Sequence, residues 1–386
     1  MNRHTKCIAS CVLAIGIIMA GIQTARADDA AKKPDEAPPK TTVSGILDFY
    51  YMYNMNHPPV GALAGGRAFD VKNDSFSFSL LKVDVVKPVG KGSPLGYTLT
   101  GTVGKTADIV HSTEPGGMNT YKYLQQVYGT YVIGAGKMPI TVDFGKFVTL
   151  MGYEVIGSTS NDNYSGSLLF TYAIPFYHAG VRFSAPLTPT LAAQLHIVNG
   201  WNNVEDDNGG KSVGVQLAWT PNPKWSWIVN WMGGDEGSPT ANGAGSFGGI
   251  GFPTAGIRNV NLLDLQGIWN LSSKIKLGVN ADYASASAKS GFGGNWSGEA
   301  VYVKYQFKPT TYLCVRAEHF EDNNGLRTGA AQNVNEITAT LDHAWKPNLI
   351  TRLEFRHDHA GVALFPSGSG GSNNQDTISL SHVVKF

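Results

Sequence analysis

The 386-residue chain sets 30 Lys and Arg against 29 Asp and Glu, a formal net charge of +1, and only 15% of its residues are charged. That balance argues against a nucleic-acid-binding protein and against a polybasic membrane-surface segment. The charged fraction is also well below the roughly 25% usual in soluble domains, while Gly, Tyr and Phe number 46, 16 and 17.

The first element is an export signal. Arg3 and Lys6 precede an apolar stretch from Ile8 to Ile22, and Ala25-Arg26-Ala27 fits a small-x-small cleavage site. Residues 1–27 therefore read as a signal peptide. Its removal takes three basic residues with it and leaves the mature chain at a net charge of −2. Cys7 and Cys11 leave with the signal. Only Cys314 remains, so an intramolecular disulfide is not expected. Residues 28–41, rich in Pro, Ala and charge, read as a short periplasmic tail.

From residue 42 onward the chain divides into short segments of alternating polarity with turn signals between them. They lie near 42–54, 74–87, 96–107, 120–133, 138–148, 177–185, 190–200, 211–220, 224–233, 258–271, 274–286, 297–308, 310–320, 334–345, 348–359 and 375–386. The predicted fold is all-β: a transmembrane antiparallel up-and-down barrel over 42–386. It has about sixteen strands, with fourteen to eighteen left open. From the sixth strand the connections alternate in length. Pro221-Asn222-Pro223, Ser272-Ser273 and Lys346-Pro347 are short, whereas 234–257, 321–333 and 360–374 are long. Short periplasmic turns and long outer loops mark barrels of bacterial outer membranes. An even strand count puts both chain ends on the periplasmic side.

Strand faces agree with this. Leu313, Val315 and Ala317 alternate with Cys314, Arg316 and Glu318, and Leu349, Leu353 and Phe355 alternate with Arg352, Glu354 and Arg356. A midplane Arg or Lys facing lipid costs about 2–4 kcal/mol, so charges stay on the inner face. Two segments break phase. One is at Leu80-Leu81, where a bulge is expected, and the other is at 120–133, where Gln125 shares parity with Tyr123 and Val127. Trp219, Trp225, Trp269, Phe307, Tyr312, Trp345 and Phe386 fall near periplasmic ends, and Tyr53, Trp231, Tyr283 and Phe320 near outer ends, as interface girdles require. The final strand closes on Phe386, which is expected to serve as an assembly signal. His382 is the one polar member of its apolar face.

A barrel of this size holds water, whereas one of eight strands fills its lumen with side chains. Passive passage of small hydrophilic solutes is therefore expected. A sugar- or anion-selective channel and a non-conducting structural or adhesive barrel remain as alternatives. Candidate pore-lining charges are Arg182, Arg316, Glu318, Asp342, Arg352, Glu354, Arg356 and Asp358; mutual pairing that merely stiffens the wall is the competing reading. The long connection 151–176 is the candidate constriction. It carries Glu154, Asn161, Asp162, Asn163 and Tyr164, then the apolar run Leu168 to Tyr172.

Several stretches resemble the OmpL-like family of outer-membrane β-barrel porins. They are Gly45 to Tyr51, Gly145-Lys146-Phe147 through Gly152-Tyr153-Glu154, Asn161 to Ser165, Pro175 to Gly180, and Val198-Asn199-Gly200-Trp201. The resemblance covers about 42–386. It implies an outer-membrane channel and brings no catalytic residues.

Chemical motifs fail on context. Gly210-Lys211-Ser212-Val213-Gly214 matches a nucleophile elbow in letters, but a loop precedes it and a strand follows. It also lacks the first glycine of a phosphate loop, since position 205 is Glu. His357 and His359 lack a third ligand nearby, and the Gly-rich 233–256 reads as an outer loop. Neither enzymatic activity, cofactor, metal nor nucleic acid is expected. The expected partners are outer-membrane lipids, the barrel-assembly machinery and small hydrophilic solutes, and a homotrimer is left open.

Overall fold

The computed structural model describes residues 38–134, 138–237, 257–288 and 293–386. The predicted signal peptide, most of the tail, and all of the Gly-rich loop beyond residue 237 lie outside these.

Sixteen antiparallel strands close into one barrel. In chain order they are β1 (Thr42–Asn54), β2 (Ser75–Lys87), β3 (Leu95–Val103), β4 (Leu124–Ile133), β5 (Ile140–Val148), β6 (Tyr177–Thr188), β7 (Leu191–Val198) and β8 (Ser212–Asn222). The second half comprises β9 (Trp225–Asp235), β10 (Ile257–Asn270), β11 (Ile275–Ala288), β12 (Gly293–Lys308), β13 (Thr311–Asp322), β14 (Gln332–Lys346), β15 (Leu349–Ala360) and β18 (Asn374–Lys385). A small hairpin, β16 (Phe365–Ser367) and β17 (Gly370–Ser372), sits in the last outer loop. β1 pairs with β18 and so leaves no open edge. No helix among the described residues is long and apolar enough to cross a membrane; the crossing elements are strands.

Both phase breaks are bulges. Asp48 pairs with Leu80 and Phe49 with Phe78, so Ser79 is the extra residue in β2. Thr100 pairs with Gln126 and Gly101 with Leu124, so Gln125 is extra and turns inward, 3% exposed. Each restores the alternation on either side of it. The segment read as 96–107 ends as a strand at Val103. A helix, Lys105–Val110, follows, with a second short one at Met118–Tyr121.

The outer face is apolar throughout the mid-wall, as in Val229, Leu265, Val301, Leu341 and Leu353, all exposed. Most predicted girdle residues face outward there too, among them Trp219, Trp231, Tyr283 and Trp345. Two do not. Phe320 is fully buried and stacks on Tyr172 of the β5–β6 connection, and Tyr312 turns inward to hydrogen-bond Gln306. Both have inward parity, which position near a strand end does not reveal. His382 does face outward, and its ring pairs with the Thr351 hydroxyl at 2.8 Å on the neighbouring strand. The outward polar group is thus satisfied across the strands.

The seam between first and last strands is tight. Gly45 donates its N–H to the Phe386 carbonyl at 2.7 Å, and the Phe386 N–H returns to Gly45 at 3.0 Å. A Cβ on Gly45 would lie 2.5 Å from the Phe386 ring. Glycine is therefore required for the terminal ring to lie across the first strand.

The lumen and its inserted loop

The β5–β6 connection enters the barrel. Its apolar run Leu168, Leu169, Phe170, Tyr172, Ile174 and Phe176 is buried at 3% exposure or less. These side chains pack with Ala68, Phe69 and Val71 of the first outer loop in one apolar cluster. Backbone carried into such a place needs partners for every N–H and C=O. The inward faces of β13 and β15 supply many of them.

Strand register sorts these faces into rungs. The outermost sets Glu318, Glu336, Asp358 and Gln375 side by side. The next holds Arg316, Thr338, Arg356 and Thr377, the third Cys314, Thr340, Glu354 and Ser379, and the fourth Tyr312, Asp342, Arg352 and Ser381. The loop runs down this ladder. Leu168 and Leu169 give their N–H groups to Glu318 at 2.8 and 3.3 Å. One rung lower, Arg316 reaches the Ser165 carbonyl and Arg356 the Gly166 carbonyl, each at 2.7 Å. Glu354 takes the N–H groups of Tyr164 and Ser165 at 2.6 and 3.0 Å, and Asn163 bonds Thr340 at 2.7 Å. On the lowest rung Arg352 holds the Ser158 carbonyl at 2.7 Å and the Asn161 carbonyl at 3.1 Å.

The charges also pair with one another. Arg316 meets Glu336 at 2.7 Å and Glu154 of the loop at 2.8 Å; Arg352 meets Asp342 at 2.6 Å; Arg356 meets Asp358 at 2.7 Å. Seven of the eight predicted lining charges (Arg316, Glu318, Asp342, Arg352, Glu354, Arg356 and Asp358) thus face the lumen, but the loop covers them. Each is at most 6% exposed. The eighth, Arg182, is on the far wall. It pairs with Asp143 at 2.7 Å, lies over the Phe147 ring, and its side chain is 18% exposed.

All five constriction residues are inside the barrel. Glu154 joins Arg316 to the Ser167 N–H at 2.7 Å. Asn161 braces the loop by bonding both N–H and carbonyl of Val155. The Tyr164 hydroxyl reaches Asp48 of β1 at 3.0 Å. Asp162 lies between Lys276 at 2.6 Å and Lys304 at 3.3 Å. Burial raises the Asp162 pKa, but the two ammonium groups more than offset this and hold its carboxyl well below the usual range. Tyr153 donates to Asp162 at 3.1 Å and stacks on Tyr302, and its hydroxyl fills the space where a side chain on Gly278 would stand.

Parts of this site carry no sequence signal that was used. Arg67 of the first outer loop pairs with Asp70 and reaches Asp358 at 3.4 Å. The Trp296 indole holds the Ala173 carbonyl at 3.1 Å, and Arg327 holds that of Tyr172. Lys276 and Lys304 have inward parity, but only the Asp162 contact gives them meaning. Inward charges with appreciable exposure include Lys82 and Asp84 of β2, Arg182, Lys276 and Lys304.

A closed sixteen-strand wall, an inserted third outer loop and an ionised lumen are the geometry of a pore. The family model described as "Putative beta-barrel porin-2, OmpL-like" matches residues 40–386. The chain belongs to this porin family. No curated protein sequence matches it. Among solved structures, the porin is similar to an anion-selective porin from Comamonas acidovorans, at TM-score 0.60 and 10% identity over 90% of this chain and 99% of that one. It is also similar to outer-membrane OmpT of Vibrio cholerae (TM-score 0.59, 11% identity, 92% and 100% covered) and to the outer-membrane channel DcaP of Acinetobacter baumannii (0.57, 11%, 92% and 100%). At such identities the likeness is one of fold.

Proposed function

We propose that this porin conducts small hydrophilic solutes and ions across a bacterial outer membrane, with a weak preference for anions. The path runs past the inward charges that keep appreciable exposure, Lys82, Arg182, Lys276 and Lys304 among them. The observation that carries the anion preference is the group at the loop tip, where two lysines share one carboxylate. Lys82 is balanced by Asp84 at 3.1 Å, and Arg182 by Asp143. Lys276 and Lys304 have only Asp162 between them, which leaves one surplus positive charge in this group. Such charges set ion preference in a narrow aqueous pore.

Reversal potential in a salt gradient tests this. The wild-type protein is expected to favour chloride modestly, and Lys304→Gln to move the potential toward the nonselective value. A cation-favouring wild type, or no change in the variant, overturns the assignment. A sugar-selective channel is the second reading, favoured by the depth to which the loop fills the lumen.

The same reading takes residues 1–27 as a cleaved export signal and 28–41 as a periplasmic tail. Lipid surrounds the apolar wall, and the protein is inserted by the assembly machinery, either as a single barrel or as a trimer. Phe386 is its assembly signal, supported by its place at the seam against Gly45. Deleting Phe386 should lower the yield of folded barrel in the outer membrane severalfold while leaving the conductance of inserted molecules unchanged. The heat-shifted gel band measures the first, planar bilayers the second. Undiminished assembly would remove this role.

A further inference from the structure

One group on the lumen wall is unlike the rest. Asp264 of β10 and Asp282 of β11 stand directly opposite each other in the register, 0% and 4% exposed. Side chains directly opposite in an antiparallel pair have their Cβ atoms about 4.5–5.5 Å apart. Asp264 is well supplied, taking amide N–H groups from Asn230 at 2.5 Å, Gln266 at 2.7 Å and Asn280 at 2.8 Å. Asp282 receives none of these; neither of its oxygens accepts a hydrogen bond from any donor group. Among the described residues no Lys or Arg pairs with either acid, whereas Glu336, Asp342, Asp358 and Asp162 each have at least one. Opposite Asp282 on its other side is Gly298, which has no side chain to give.

Two adjacent carboxylates removed from water repel each other strongly, so that either one keeps a proton or the pair takes a positive partner. The three amides are spent on Asp264 and leave both oxygens of Asp282 without a donor. Carboxylate oxygens are ligands of hard cations.

We propose that Asp264 and Asp282 hold a divalent cation of the Ca²⁺ class on the lumen wall. The site is joined to the inserted loop. Asn280, which bonds Asp264, also accepts the Tyr153 N–H at 3.2 Å, and Asn230 donates to the Leu150 carbonyl at 3.1 Å. The cation therefore neutralises the pair and fixes the point where the loop enters the barrel.

The test is calorimetric titration of Ca²⁺ into protein refolded in detergent without lipopolysaccharide and stripped with EDTA. One site is expected. Asp282→Asn should weaken it beyond the roughly 10–100-fold that loss of an outer-sphere partner costs. Asp206→Asn, in an exposed outer loop, should leave it unchanged. Asn at 282 can donate to Asp264 as a protonated acid would, so the variant is expected to fold; the heat-shifted gel band checks this, and Asp264→Asn serves as a second variant. No binding to wild type at millimolar Ca²⁺, or equal binding in folded Asp282→Asn, overturns the proposal and assigns a shared proton instead.

Discussion

Arg316→Ala should release the inserted loop and raise single-channel conductance severalfold, with frequent transitions between levels. Arg316 is fully buried and is the charge on which Glu154, Glu318 and Glu336 converge, at 2.8, 3.4 and 2.7 Å. It also carries the Ser165 carbonyl. Removing one partner of a buried ionic group costs about 3–5 kcal/mol, because the remaining charges lose their compensation. Here three carboxylates are left facing each other. Their relief is to take up protons or water, and either weakens the charge-assisted bonds that Glu318 makes to Leu168 and Leu169 and that Glu154 makes to Ser167.

The wall itself should survive, since its strands pair through backbone bonds that Arg316 does not share. Heat-shifted gel mobility is therefore expected to remain while conductance changes. Arg316→Lys keeps a charge but has no planar fork to span the carboxylates and the carbonyl together, and should fall between the two. An alanine variant with wild-type conductance and noise would show that the loop holds its place without the ladder.

The reason that consequence cannot be read from sequence is the range of the contacts. Period-2 alternation states which face a residue takes, and it assigned Arg316, Glu318, Arg352 and Glu354 to the inside. It does not state what covers them. Their partners are backbone groups 149 to 194 residues away, such as Leu169 for Glu318 and Ser158 for Arg352. Main-chain amides leave no mark in composition. The loop was still legible as unusual, because an apolar run between polar residues has no reason to sit in an outer loop. Strands were legible wherever alternation was long, and the breaks at Ser79 and Gln125 appeared as phase slips. The helix at Lys105–Val110 was not, because six residues are too few to separate a 3.6 period from a strand's continuation.

That helix carries the second large effect, an acid-driven loosening. His111 ends it, 1% exposed, with Thr106 bonded to Ser79 and its apolar side near Leu80 and Ile156. The ring gives its Nδ1 proton to the Ala107 carbonyl at 2.9 Å and accepts from the Lys146 ammonium at Nε2, 2.6 Å away. Only the neutral ring can do both. Burial, reinforced by the Lys146 charge, pushes the His111 pKa down from 6.5 to about 3. A group depressed in this way contributes its full stabilisation above pH 6.5. That contribution is lost as the pH falls toward 3, because the undocked segment binds the proton first. At two units below 6.5 the loss is about 3 kcal/mol. Hydrogen exchange across 105–111 should therefore lose protection steeply between pH 6.5 and 4.5, beyond the intrinsic change in exchange rate. In His111→Gln, whose amide can still accept from Lys146 and does not titrate, that dependence should vanish. If wild type and variant follow one pH profile, the docking of this segment does not depend on the imidazole, and the acid sensitivity of the lumen belongs to other groups.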